Sequence, residues 1–310
     1  MSASPPSYAS LPFSTLLELM TKLDEHVQPQ HPTWFSINTF AGMLILYALA
    51  KLLHLVLPRA CGRRRWEAVS PTNRKTMVIY VLQITVTLAA FALQMASASL
   101  AKFEFTARTL EMERAGVTLV AMLYVFELVY RDSMRGPMIA HHIITVFIMS
   151  LAMTLVYTER DPSFALTGWL WLFQATTEQL TFVSLFLYRL KINPRTLRIL
   201  FRVSAVQAFA CKAASIAGTV YVWAKWQRTA TGSRYRAFDV IFFVATVGLA
   251  ATQVWGTYVV WIMGNRGLRA DEQPRMSPAE SQELQSSTPC SVKTADNYFM
   301  ASDRLPECLA

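Results

Sequence analysis

Seven ionisable side chains of this sequence stand inside long apolar runs: Lys51, His54, Glu127, His141, His142, Glu178 and Lys212. A charge placed at the centre of a bilayer costs roughly 2.5–3.5 kcal/mol on insertion scales, so each such group is expected to face a cavity or a partner. The densest case is "RDSMRGPMIAHHIITVFIM", where His141 and His142 follow one another four or five residues into an apolar run. Imidazole takes and gives protons near neutral pH and can itself carry an acyl group, so the pair points to general acid/base or nucleophilic work. Successive helical residues differ by about 100°, so one ring can face a cavity squarely while the other lies at its edge or orients the first. A neighbouring carboxylate would fix the tautomer and stabilise the charged ring. Glu127 is the candidate, because only a short loop separates its run from the histidines; its place four residues before Arg131 equally allows a helix-edge ion pair. His141, His142 and Glu127 are therefore the catalytic candidates.

Glu178 and Lys212 lie at matched depth, roughly 15 Å from the same end of two consecutive antiparallel runs, which predicts a mutual ion pair. Lys51 and His54 fall in the last two turns of the first run beside a basic loop, where long side chains snorkel to the headgroups. No catalytic metal is expected: there is no H-E-x-x-H and no Cys/His set, and five histidines fall short of the clusters a di-iron lipid hydroxylase needs. A retinal protein would need a Schiff-base lysine in the last run, 238–262, and none is there. A seven-helix receptor would show an N-P-x-x-Y or Asp-Arg-Tyr signal, also absent.

The elements that must position these groups follow from composition. The chain has 310 residues, 53% hydrophobic and only 16% charged, which favours lipid over water as solvent. A bilayer core needs about 20 apolar helical residues per crossing. Seven runs qualify, at approximately 34–57, 76–100, 115–130, 137–157, 164–187, 199–223 and 238–262, the third being short. Their apolar residues are continuous rather than alternating, so helices and not a barrel are expected. The fold class read here is an all-α polytopic membrane protein of about seven transmembrane helices, with a transmembrane domain at 34–263.

The net charge of +9 does not mark a nucleic-acid binder, because the basic residues sit in the connections rather than on one amphipathic face. Arg59, Arg63, Arg64, Arg65, Arg74 and Lys75 follow span one, and Arg189, Lys191, Arg195 and Arg198 follow span five. That bias puts the C-terminus in the cytosol and the polar segment 1–33 in the lumen, although the basic connection 225–236 runs against it. Span one then serves as an uncleaved signal anchor. Within the first segment, "LPFSTLLELMTKL" has helical apolar spacing suited to the membrane surface. Residues 264–310 are polar and rich in Ser, Pro, Glu and Gln, the composition of a disordered tail. Of Cys61, Cys211, Cys290 and Cys308, none is expected in a disulfide, and Cys61 at a membrane edge is a candidate for palmitoylation.

The stretch "LYVFELVYRDSMRGPMIAHHIITVFIM" resembles the core of the TLC-domain proteins, the membrane family that includes the ceramide synthases, and "TTEQLTFVSLFLYRL" resembles a later stretch of that family. The resemblance covers roughly 70–265. It implies that His141 and His142 match the family's His pair, Glu127 its acidic residue in the preceding span, Glu178 its Glu, and Arg189 its arginine at the cytosolic exit. It further implies a cytosol-facing cavity in the endoplasmic reticulum membrane, with membrane lipids as partners and no bound cofactor. Acyl-CoA would be the co-substrate for acyl transfer to a lipid amine or hydroxyl, and Glu178, Lys212 and Arg189 would be substrate contacts. The two Asp residues of the ceramide synthase H-D-x-x-D pattern are absent here, which moves the chain toward the divergent branches, including proteins of membrane-lipid homeostasis. A non-catalytic lipid-sensing protein is the alternative, and a homo-oligomer remains open.

Overall fold

The computed structural model describes residues 13–27, 32–226 and 233–272. Among them are ten α-helices and no strand: α1 (Phe13–His26), α2 (Pro32–Cys61), α3 (Arg63–Glu67), α4 (Pro71–Ala96), α5 (Ala107–Tyr130), α6 (Gly136–Thr154), α7 (Pro162–Thr176), α8 (Gln179–Arg189), α9 (Pro194–Trp226) and α10 (Ser233–Glu272). Several start at or next to a proline, whose fixed φ suits the first helical turn and whose missing N–H is not needed there. Side chains cap others: Asp161 accepts from the Ser163 N–H at 2.9 Å, and Thr106 and Thr109 form a reciprocal capping box.

Among the described residues, five helices are long and apolar enough to cross a membrane: Phe35–Cys61, Pro71–Ala96, Gly136–Thr158, Pro194–Ala224 and Val240–Asn265. The surfaces agree with a lipid solvent. On α6, His142, Thr145, Met149 and Ala152 are buried at helical spacing while Ile143 (55% exposed) and Phe147 (50%) face out. Val129, Phe209, Val244 and Tyr258 are likewise outward, so apolar residues coat the exterior while ionisable groups occupy the interior, the reverse of a water-soluble domain.

α4 runs through the middle of the bundle, packing on α2, α5, α7 and α8. Helices approach closely where side chains are small: a Cβ added to Gly116 of α5 would lie 3.0 Å from Leu172 of α7, and one on Gly218 of α9 would lie 3.2 Å from Leu170. The N-terminal α1 docks as well, burying Leu23 and Val27 against Phe105 and Phe164 and pairing Asp24 with Arg160 at 2.9 Å.

Three expectations need correction. The run at 164–187 is not one helix: it breaks at Thr177 and Glu178 into α7 and α8. The short third run extends back to Ala107, since the capping box and the charged residues of its first turns start the helix before its apolar part. The polar tail expected from 264 begins as helix, α10 continuing to Glu272; residues 273–310, like 1–12, lie outside the described residues. Among the described residues, those up to Gly267 form one compact unit.

Candidate functional site

The break between α7 and α8 has an identifiable cause and is fully compensated. Thr177 turns its hydroxyl back onto the carbonyl of Phe173 at 2.8 Å, a bond that competes with the helical ladder, and Thr176 donates its hydroxyl hydrogen to Gln94 Oε1 of α4 at 2.6 Å. The carbonyls freed there are taken up by side-chain amides: Gln179 Nε2 donates to Thr176 O, and Gln207 Nε2 of α9 donates to Thr177 O at 3.1 Å. Irregular backbone in a membrane is tolerated only where neighbours satisfy it in this way. Glu178 sits at the break, and Lys212 of α9 reaches it in the expected ion pair, both side chains largely buried.

A second charged group is assembled at the facing ends of α5 and α6. Both oxygens of the buried Glu127 carboxylate are engaged. Oε1 accepts from Arg131 Nη1 at 2.7 Å, and Oε2 lies 3.4 Å from His142 Nε2 while also accepting from Gln83 Nε2 of α4. The two roles open to Glu127, ion pair with Arg131 and orienter of an imidazole, are thus filled at once by different oxygens. Tyr124 packs on the His142 ring with centroids 4.2 Å apart and reaches the His141 ring at 6.0 Å; the two imidazoles are 5.6 Å apart.

The rings differ in task, as their 100° offset requires. His142 turns to Glu127. His141 points toward α10, where its Nδ1 lies 3.3 Å from Thr252 Oγ1. The Thr252 hydroxyl hydrogen is already given to Leu249 O at 2.8 Å, so Thr252 must accept and His141 Nδ1 must donate. This assigns the neutral tautomer: Nε2 of His141 carries the lone pair and is the basic nitrogen. The fields of Glu178, Lys212 and Glu127 all reach this ring, joining the two charged groups into one polar centre contributed by α4, α5, α6, α8, α9 and α10.

Arg189 lies at the end of α8 and hydrogen-bonds the Tyr80 phenol, which also feels Arg131 and Glu127. His54 does not snorkel: its Nε2 turns inward to Tyr130 Oη at 2.8 Å, while Lys51 lies over the Tyr47 ring on an exposed face.

Beside His141 is a cavity lined by Tyr124, His141, Thr145, Trp171, Gln174, Ala175, Leu249 and Gln253, with a volume of about 10 Å³, room for about one water molecule. Its lining comes from α5, α6, α7 and α10. The sequence screen also missed residues that complete the centre: Gln83, Tyr124, Gln174, Thr252 and Gln253. A glutamine inside an apolar run is the same signal as an ionisable residue in weaker form, and "YVLQITV", "WLFQATT" and "ATQVW" all carry it. Glu113 was missed because it precedes the apolar part of α5, yet it is fully buried and its Oε1 has no hydrogen-bond partner.

No family model matches the chain, and neither a curated protein nor a solved structure matches it.

Proposed function

We propose that this chain is a seven-crossing, TLC-like lipid protein of the endoplasmic reticulum, with its C-terminus in the cytosol, in which His141 acts as the base of an acyl-transfer reaction. The observation that carries the reading is the division of labour between the rings. His142 lies 3.4 Å from the Glu127 carboxylate, while His141, its Nδ1 engaged by Thr252, lines the small cavity. A base needs a fixed tautomer and an open lone pair, and the Thr252 contact supplies both. An acyl-CoA donor and a lipid amine or hydroxyl acceptor are the reactants that the resemblance implies. Crossings five and three would be the broken α7–α8 pair and the charged α5, which fall short of simple apolar spans because their polar residues turn into the protein.

The test is incubation of the purified chain in lipid nanodiscs with long-chain acyl-CoA and sphingoid or lysolipid acceptors, products being read by mass spectrometry. His141→Ala is expected to abolish turnover, a loss of about 100-fold or more. His142→Ala is expected to lose less, because it orients rather than reacts. Equal and negligible losses would return both rings to a packing role. A second reading, a non-catalytic lipid-regulating protein, is favoured by the small cavity, which has room for about one water molecule and no acyl chain; a wild type inert toward every acyl donor would establish it.

A further inference from the structure

The polarity of one hydrogen-bond chain decides what the cavity beside His141 is built to hold. Ser215 Oγ donates to the Leu170 carbonyl, which can only accept, so Ser215 must accept from Gln174 Nε2 at 2.9 Å. The Gln174 amide is thereby oriented with Oε1 toward α10, where it accepts from Gln253 Nε2. The Gln253 amide is fixed in turn, and its Oε1 is left as a buried acceptor with no partner. Across the same cavity stands Trp171, whose Nε1–H is a buried donor with no partner. Both residues are more than nine-tenths buried, at 4% and 3% exposed. An unsatisfied buried polar atom costs about 1–3 kcal/mol, so an orphaned donor and an orphaned acceptor on one wall call for a ligand that accepts once and donates once.

We infer that this cavity is a water site, and that water is the acyl acceptor of the reaction. One water molecule matches the volume of about 10 Å³. Its oxygen accepts from Trp171 Nε1–H, one hydrogen goes to Gln253 Oε1, and the other goes to the lone pair on His141 Nε2. Three hydrogen bonds leave one lone pair on the oxygen for attack. An alcohol carries one hydrogen on its oxygen and cannot serve both Gln253 Oε1 and His141 Nε2, whereas water serves both. The inference rests on the acyl-transfer reading and changes its acceptor, making the protein a hydrolase of acyl esters or thioesters. In the step, the water oxygen forms a bond to the acyl carbonyl carbon as its proton passes to His141 Nε2. The tetrahedral intermediate then collapses with cleavage of the C–S or C–O bond, and His141 returns that proton to the departing thiolate or alkoxide. A fatty acid and a thiol or alcohol result, with no change of oxidation state.

The experiment runs the nanodisc reaction in ¹⁸O-labelled water, with acyl-CoA and a lysolipid ester as donors, in the presence and absence of lipid acceptors. One ¹⁸O atom is expected in the released fatty acid, at a rate above that of His141→Ala. Trp171→Phe keeps the ring stacked on Phe242, at 4.8 Å between centroids and 5° between planes, but removes the N–H, and is expected to slow release about tenfold. Gln253→Met should do the same. Acylated lipid without labelled fatty acid would overturn the water assignment while leaving acyl transfer standing. Neither product would overturn both. Independently, an experimental structure that resolves ordered water should show density between Trp171, Gln253 and His141, lost in Trp171→Phe; an unoccupied, dry cavity in the wild type would overturn the site itself.

Discussion

Removing either partner of the Glu178–Lys212 pair should destabilise the chain far more than removing both. The pair is at ion-contact distance and its side chains are only 15% and 11% exposed. At about 3 Å and an effective dielectric near 20, two unit charges attract by roughly 5 kcal/mol, and desolvation offsets much of that gain. The net worth of the intact pair is therefore small, but Glu178→Gln strands a buried ammonium and Lys212→Met strands a buried carboxylate, at about 3–5 kcal/mol each. The double variant strands nothing, so its loss should be no larger than that of one single variant. The resulting coupling is about 3 kcal/mol or more, the upper end of the range for contacting residues. Glu178 is also the residue at which α7 gives way to α8, so the singles should loosen that junction, held then by Gln179 on the Thr176 carbonyl and Gln207 on the Thr177 carbonyl. Unfolding in mixed micelles with increasing denaturing detergent, followed by the fluorescence of the eight tryptophans, measures all four proteins. A coupling below about 0.5 kcal/mol, the level at which independent sites add, would refute the argument that two charges hold the broken helix together.

Three further outcomes follow from other contacts. Gly168→Ala places a Cβ 2.9 Å from Glu113 Oε1 and 3.4 Å from Met153 Cε, so the buried Glu113 side chain must swing aside; a loss of about 1 kcal/mol is expected in the same unfolding assay, relieved when Glu113→Ala is added. His54→Phe removes the hydrogen bond to Tyr130 that ties α2 to α5 and should cost about 1 kcal/mol, against no change if the ring merely snorkels. Burial pushes the Asp161 carboxyl above its usual range, with the Ser163 hydrogen bonds opposing it. The folded chain therefore holds this proton more tightly than the unfolded one, and stability falls as pH rises from the unfolded carboxylate value, near 4, through the raised folded value. Asp161→Asn keeps the cap acceptor, and unfolding followed against pH should show that slope flattened.

What the sequence made legible is what lipid makes expensive. Glu178 and Lys212 could be paired from depth alone, because a bilayer leaves a buried lysine few options and helical rise converts residue number directly into depth. Glu127 could be set beside the histidines because a short loop forces two helix ends together. The inequality of His141 and His142 followed from the 100° step, and the contacts to Thr252 and Glu127 resolve which ring does which. By contrast, the break at Thr177 was hidden. Its residues are ordinary threonines, and only the amides of Gln179 and Gln207, one of them from another helix, make an interrupted ladder tolerable. Tertiary satisfaction of that kind leaves no periodic trace in a single run.

The side chains around the imidazoles were hidden for a related reason. Intramembrane ionisable groups require partners, and a cavity is only one way to supply them. Here protein supplies nearly all: Arg131, Gln83 and His142 surround Glu127, Lys212 meets Glu178, and Thr252 meets His141. What is left unmet around His141 includes the Trp171 Nε1–H, Gln253 Oε1 and the ring nitrogens of His142, next to a space for about one small molecule. The polar demand is thus met largely from within the bundle while the outward faces stay apolar, which is what a lipid solvent requires of helices that carry ionisable groups.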